Sequence, residues 1–451
     1  MCYLGIDIGT SSICGVVYHT SSKKIRSITR ENGAGIVSSN TWEKAQDAEA
    51  IVRIVRSLID ELEKLEKDGT HVRGIGLSGQ MHGILYVDKE GKALSPLYTW
   101  QDMRGGLPYK EGWSYASYLS EATGLALSSG FGLVTHFYNL VNGLVPEGAT
   151  KIGTIMDYVA MRLTGREAPL MDASNAASLG FFDKRRSCFD EGALERVGID
   201  TSILPELGDT ASLVGYYQRI PVYTAIGDNQ ASFLGSVRSF ERSIHVTVGT
   251  SSQLSVYSDT YIEVPSLETR PLPGGGYILV GAALCGGCAF SMLKNFFQDL
   301  VRMCSGTGMS DTELYAIMSS VPYKKEASED IRVDTLFDGT RSHPELRGRI
   351  TNISRYNWTP ENLVLGFLRG MSRELFDFYR LLPSSIRAGK DLLIGSGNGI
   401  RKNPLLREIL EEYFRVPLRV SKCQEEAALG ACLCGMLGAG HITRFSDFEY
   451  D

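Results

Sequence analysis

Gly5-Ile6-Asp7-Ile8-Gly9-Thr10-Ser11-Ser12 follows an apolar start and leads into Ile13-Cys14-Gly15-Val16-Val17-Tyr18. The pattern predicts two short strands joined by a tight turn. Gly9 permits backbone angles closed to other residues and lets a ligand approach the chain. Thr10, Ser11 and Ser12 add hydroxyls and a concave row of N–H groups, which suits a phosphate. Asp7 cannot meet that phosphate directly, because both are anionic. A hard divalent cation, held partly through water, reconciles them.

A second copy supports this reading. His245-Val246-Thr247-Val248-Gly249-Thr250-Ser251-Ser252 leads into Gln253-Leu254-Ser255-Val256-Tyr257. The shared Gly-Thr-Ser-Ser core, with strand-like flanks in each half, reads as an internal duplication. Thr247 stands where Asp7 stands. The first copy is therefore expected to hold metal and phosphate, the second phosphate alone.

A chain of 451 residues is long for one core and fits two domains. With 43% hydrophobic and 22% charged residues the composition is that of an ordinary globular protein. A net charge of −6 gives no footprint for nucleic acid. No basic segment precedes Asp7, so no signal peptide is expected and a cytoplasmic location is. The uncharged run from Pro273 to Leu293 is long enough to span a membrane. Gly274-Gly275-Gly276 and Gly286-Gly287 interrupt it, which predicts a buried strand with a glycine-rich turn and no membrane partner. Nine scattered cysteines fit a reducing compartment better than a disulfide framework. Cys285-Gly286-Gly287-Cys288 has metal or redox spacing, but zinc would want a second such pair. Cys432 and Cys434 read as core.

In chain order, apolar spacing predicts a helix from Asp47 to Lys67, stopped by Gly69. Val72 to Ser78 reads as a buried strand running into Gly79-Gln80-Met81-His82-Gly83. Turns at the carboxyl ends of such strands bind ligands in open α/β sheets; His82 can equally be structural. Leu97-Tyr98-Thr99-Trp100-Gln101-Asp102-Met103-Arg104 mixes an aromatic face, an amide, a carboxylate and a guanidinium. That set suits a polyhydroxylated ligand, or equally a buried tryptophan beside a salt bridge. Gly153 to Gly165 looks helical, with Asp157 and Arg162 as surface charges. Asp172 to Ser178 reads as a polar loop. A strand over Ile220–Ile226 leads to Gly227-Asp228, where Asp228 either caps the next helix or acts as a base. The strand Asp391–Ile394 opens into Gly395-Ser396-Gly397-Asn398-Gly399, whose glycines let a flat base lie on bare backbone. Asn403-Pro404 starts a helix. The glycine spacing is not that of a dinucleotide fingerprint. Glu425 to Ala431 is a small-residue helix able to pack closely.

Together these motifs resemble the FGGY family of carbohydrate kinases, within the actin and hexokinase-like superfamily. The resemblance rests on Asp7 to Ser12, Gly79 to Gly83, Trp100-Gln101-Asp102, Gly227-Asp228, Gly249-Thr250-Ser251, Gly395-Ser396-Gly397 and Ala427 to Ala431. It departs from the family after Gly286-Gly287, where Cys288-Ala289-Phe290 replaces the usual Trp-Leu-Arg-like segment. The resemblance implies an α/β fold of two ribonuclease-H-like domains with a cleft between them: 1–235 for sugar and 236–451 for ATP. It further implies phosphorylation of a ketose's primary hydroxyl, with sedoheptulose the expected sugar and xylulose its rival. Asp228 would be the base and Asp7 would orient Mg²⁺ through water. Gln80, Met81, His82, Trp100, Gln101, Asp102 and Asp228 would meet the sugar. Gly9, Thr10, Ser11, Ser12, Gly249, Thr250 and Ser251 would meet the phosphates. Gly395, Ser396, Gly397, Asn398 and Asn403 would flank adenine. A non-catalytic sugar sensor and a chaperone-type ATPase are the alternatives on this fold, and a homodimer is left open.

Overall fold

β1 (Cys2–Ile8) and β2 (Ser12–His19) pair antiparallel around the turn that the opening stretch predicts. The structure is a computed structural model and describes residues 1–451 except 66–70, 111, 341–342, 344 and 449–451. β1 is almost wholly buried, so its apolar residues run without alternation. β3 (Lys24–Glu31) adds antiparallel to β2, and β4 (Val72–Gly79) lies parallel to β1. β5 (Leu213–Tyr217) pairs antiparallel with β6 (Ile220–Tyr223); β6 and β7 (Ile226–Gly227) both lie parallel to β4. The expected single strand over 220–226 is thus two pieces. The sheet order is β5-β6-β4-β1-β2-β3, with β7 also on β4.

The second sheet repeats this plan. β8 (Ser243–Val248), β9 (Ser252–Ser258) and β10 (Tyr277–Ala283) are antiparallel neighbours. β11 (Leu392–Ser396) lies parallel to β8, and β12 (Leu418–Val420) parallel to β11. The order β10-β9-β8-β11-β12 matches β3-β2-β1-β4-β6 strand for strand. The duplication therefore reaches beyond the Gly-Thr-Ser-Ser letters to topology.

Two compact units result. One comprises Met1–Arg238, Arg270–Gly276 and Glu425–Asp451; the other comprises Ser239–Thr269 and Tyr277–Gln424. They are not the segments 1–235 and 236–451, because the helix Glu426–Gly438 belongs to the first unit. Its small residues explain why. A Cβ on Gly5 would lie 1.9 Å from the Ala428 carbonyl, and one on Gly76 1.8 Å from that of Ala431. Helix and sheet meet backbone to backbone, which only glycine allows. Each unit has its own apolar core, around Ile6, Leu58 and Leu77 in the first and Val246, Leu368 and Ile409 in the second.

The helix Ala48–Leu65 buries the apolar stripe read from its spacing, and Asp47 caps it by accepting from the Ala50 N–H at 3.0 Å. Its expected end at Lys67 and stop at Gly69 lie outside the described residues. The uncharged run becomes β10 followed by the helix Gly287–Ser305. Among the described residues no helix is long and apolar enough to cross a membrane. Cys285 and Cys288 are paired, with Cα atoms 5.4 Å apart. The Asp338 carboxylate and the two sulfurs lie within 4.8 Å of one another. This is one local pairing rather than a framework.

Candidate active site

The first turn is held by its carbonyls. Asn32 Nδ2 donates to the Gly9 carbonyl at 2.8 Å, Gln46 Nε2 to that of Thr10 at 2.9 Å, and the Asn32 N–H to that of Ser11 at 2.9 Å. In a trans peptide the carbonyl and the following N–H point opposite ways. The N–H groups of Thr10 and Ser11 therefore face away from this scaffold, as an anion-binding turn requires. Gly9 has no positive φ. Glycine is required there because a Cβ would lie 2.8 Å from the Ser12 carbonyl. The second turn is built alike: the Gly287 N–H donates to Gly249 O at 2.9 Å, and those of Gly286 and Cys288 to Thr250 O at 3.0 Å. Here backbone replaces the side chains. The two hairpins also differ in register. Ile8 pairs with Ile13, but Val248 pairs with Ser252, so the second turn is one residue tighter.

Asp7 and Asp228 leave the same end of one sheet on either side of β4. Asp7 is in register with Ser78, which also pairs with Ile226, two residues before Asp228. Two strand spacings place their backbones roughly 9–10 Å apart. Ser78 Oγ donates to Asp7 Oδ1 at 2.7 Å. In the duplicate, Thr247 is in register with Ser396 and their hydroxyls lie 2.7 Å apart. Burial first, then the charge of Asp228, pushes Asp7 up to about 7. Burial pushes Asp228 up to about 6, against the pull of Arg270. Asp228 is the first residue of the helix Asp228–Ser236, whose cap is Gly227. The cap reading of Asp228 is therefore not what the structure shows.

The expected polar loop, one expected surface charge and one expected sugar contact are all buried. Asp172 to Ser178 is not a loop but a short helical segment, capped by Asp172. It braces the site: the Gly227 N–H donates to Ser174 Oγ at 3.2 Å, and Ser174 Oγ donates to Asp172 at 2.6 Å. Asp157 is buried, accepts from Thr154 Oγ1 at 2.5 Å and is pushed up to about 7 by burial. Asp102 is fully buried and grips Arg104, whose Nε lies 2.7 Å away; its other oxygen accepts from the Lys44 N–H at 3.1 Å. The salt-bridge alternative thus describes Asp102, while Trp100 beside it is 44% exposed. A carboxylate so committed supports the Trp100–Gln101 corner rather than facing a ligand.

Gln80 and Met81 are buried at the end of β4, and Met81 Sδ would lie 2.7 Å from a Cβ at Gly227. His82 is half-buried with φ 74°, a strained angle for this residue. Its Nδ1 donates to the Ser178 carbonyl at 2.7 Å, and its ring stacks on Phe131 with centroids 4.9 Å apart. That bond fixes the tautomer and makes Nε2 the acceptor in the neutral ring. Gln101 is exposed beside Trp100.

In the second unit, Gly397 needs its positive φ of 80°, and a Cβ there would lie 2.5 Å from the Val248 carbonyl. Gly395 instead packs inward, 2.8 Å from Ile400 at its Cβ position. Ser396 is buried against His245 Nε2 at 2.9 Å, and Asn403 caps the helix Pro404–Phe414 through the Leu406 N–H at 3.0 Å. Burial pulls His245 down to about 4, so it is neutral. Asn398 opens the helix Asn398–Lys402. Ser396 and Asn403 are thus spent on internal bonds, leaving Gly397 and Asn398 as the exposed-edge candidates. Sequence reasoning missed Asn32, Gln46, Ser78 and Arg270. None lies in a recognisable spacing, and Arg270 joins the first unit from 42 residues beyond Asp228.

The sequence matches the N-terminal domain of the FGGY family of carbohydrate kinases over residues 2–235, more than half the chain. It is 27% identical to a sedoheptulokinase of Mus musculus over 480 residues, covering 95% of this chain and 96% of that one. It is 24% identical to a xylulose kinase of Lactococcus lactis, covering 97% and 88%. A solved xylulose kinase from Rhodospirillum rubrum superimposes with a TM-score of 0.84 at 18% identity, over 99% of this chain and 92% of the other. The chain belongs to the FGGY family of carbohydrate kinases and is an ATP-dependent sugar kinase of the two-domain actin- and hexokinase-like fold.

Proposed function

We propose that the sugar is a ketose, sedoheptulose, phosphorylated on its primary hydroxyl with Asp228 as base. The observation that carries the reading is the pair Asp7 and Asp228, set at one sheet end on either side of β4. A base with a pKa near 6 is ionised at neutral pH and still basic enough to take a hydroxyl proton in the transition state. Asp7 fits a hard divalent cation: burial first, then the charge of Asp228, disfavours its ionised form, and a cation would relieve both. Asp7 would hold Mg²⁺ through water, where the ion would neutralise phosphate charge. Phosphoryl transfer asks the rest of the protein chiefly for positioning. In this reading the Thr10–Ser11 and Thr250–Ser251 amides hold phosphate oxygens. Gln80, Met81, His82, Trp100 and Gln101 hold the sugar, with Asp102 bracing the corner. Gly397 and Asn398 border adenine, with Gly395, Ser396 and Asn403 shaping that edge from within.

Similarity to a sedoheptulokinase along nearly the full length of both chains supports the choice of sugar. An ADP-release panel of sedoheptulose, xylulose, ribulose and glycerol tests it. Sedoheptulose is expected to give the highest kcat/KM. A tenfold preference for xylulose would replace the sugar and leave the kinase chemistry standing.

Thr250 is exposed on the second turn. Thr250→Val keeps its shape and removes the hydroxyl. A lost hydrogen bond to a charged oxygen costs about 1.5–3 kcal/mol, so KM for ATP should rise on the order of 10–100-fold with sugar KM unchanged. Equal damage to both constants would point to misfolding instead.

A further inference from the structure

We infer that Gln46 is a positioning residue that joins the sugar wall to the first phosphate turn, so that each substrate tightens binding of the other. The inference rests on the functional reading above. Gln46 ends the short strand Ala45–Gln46, outside every motif quoted from the sequence, and is buried. Its Nε2 donates to the Thr10 carbonyl at 2.9 Å, and its Oε1 accepts from Gln80 Nε2 at 2.8 Å. Gln80 Oε1 accepts from the Thr10 hydroxyl at 3.0 Å, which closes a ring through three residues. Trp100 Nε1 enters from outside, donating to the same hydroxyl at 2.9 Å.

The directions are fixed by chemistry. An indole N–H only donates, so the Thr10 oxygen accepts there and sends its own proton to Gln80. Gln80 must then turn its Oε1 to Thr10 and its amide nitrogen to Gln46. Gln46 in turn must present its nitrogen to the Thr10 carbonyl. Neither amide can flip without setting two donors or two acceptors face to face. The Thr10 carbonyl shares one peptide with the Ser11 N–H, so the bond from Gln46 polarises that N–H toward an anion.

Trp100 is the most exposed member of the network, at 44%. A sugar packed on its ring orders the indole, which orders the Thr10 hydroxyl and, through Gln80 and Gln46, the turn. Such coupling is reciprocal.

The test is calorimetry with Mg²⁺ and a non-hydrolysable ATP analogue, with and without the ketose turned over in the panel. Wild type should bind the nucleotide at least about fivefold tighter with sugar, the low end of ordinary couplings. Gln46→Glu keeps the shape but cannot donate to Thr10, and Gln46→Leu removes both bonds. Each should bring the ratio to about one while both ligands still bind singly to a folded protein, with a melting temperature lowered by the buried groups left unpaired. Trp100→Phe keeps an aromatic face without the donor and should lose the coupling too, which serves should the Gln46 variants fail to fold. A wild-type ratio of one, or coupling kept in any folded variant, overturns the inference. Failure of the panel itself would strike the functional reading instead.

Discussion

Asp228→Asn should lower turnover by about 10²–10⁴-fold, keep sugar affinity within a few-fold, and raise thermal stability at pH 8. An amide of the same size cannot accept the hydroxyl proton, so the chemical step fails while the pocket keeps its shape. The stability gain follows from the raised pKa. Asp228 goes from 3.8 to about 6 on folding because burial disfavours its charge. Above about 6 the folded state carries a carboxylate it would rather not ionise. That penalty is relieved as pH falls through 6 and is gone below the unfolded value. The melting advantage of Asp228→Asn should therefore be largest at pH 8 and vanish toward pH 4. Wild-type kcat/KM should fall on the acid side of about pH 6. Near-wild-type ADP release by the variant would remove Asp228 from the role of base.

Gly76→Ala should be the most damaging single methyl in the first unit. The new Cβ would lie 1.8 Å from the Ala431 carbonyl and 2.9 Å from the Gly435 N–H. Both are backbone atoms of the helix Glu426–Gly438, so no side-chain rotation relieves the clash. Ordinary overpacking costs about 1–3 kcal/mol; here helix and sheet must separate, which belongs to the rare class above about 4 kcal/mol. β4 carries Ser78 and leads directly into Gln80, so activity should fall with stability. Soluble yield and a thermal melt check this. A melt within a degree or two of wild type would mean the helix is not seated on β4 as described.

The fold was legible where its cause is local. Both Gly-Thr-Ser-Ser hairpins, the helix after Asp47 and the close-packing small residues at Glu425–Ala431 declare themselves through spacing. What the hairpins conceal is their register: identical letters give turns that differ by one residue, because the support differs. Asn32 and Gln46 side chains hold the first turn, and the backbone at Gly286–Cys288 holds the second. The errors share one cause, since burial of a polar group depends on what folds over it. Asp157 looked like a surface charge and the 172–178 segment like a loop, and Asp102 was read as a sugar contact, yet all three lie buried within the fold. Ser78 and Arg270 escaped for the converse reason. An ordinary serine inside an apolar strand gives no sign that its register partner is Asp7.

The central claim is that nucleotide phosphates held by these turns pass one phosphoryl group to a sugar hydroxyl whose proton goes to Asp228. It is tested most directly by incubating the enzyme with Mg-ATP and the ketose and counting both products by mass spectrometry and phosphorus NMR. The predicted result is one sugar monophosphate per ADP, with phosphate on the terminal carbon and little ADP formed without sugar. ADP accumulating at the same rate without sugar, or phosphate on an interior hydroxyl, would contradict it.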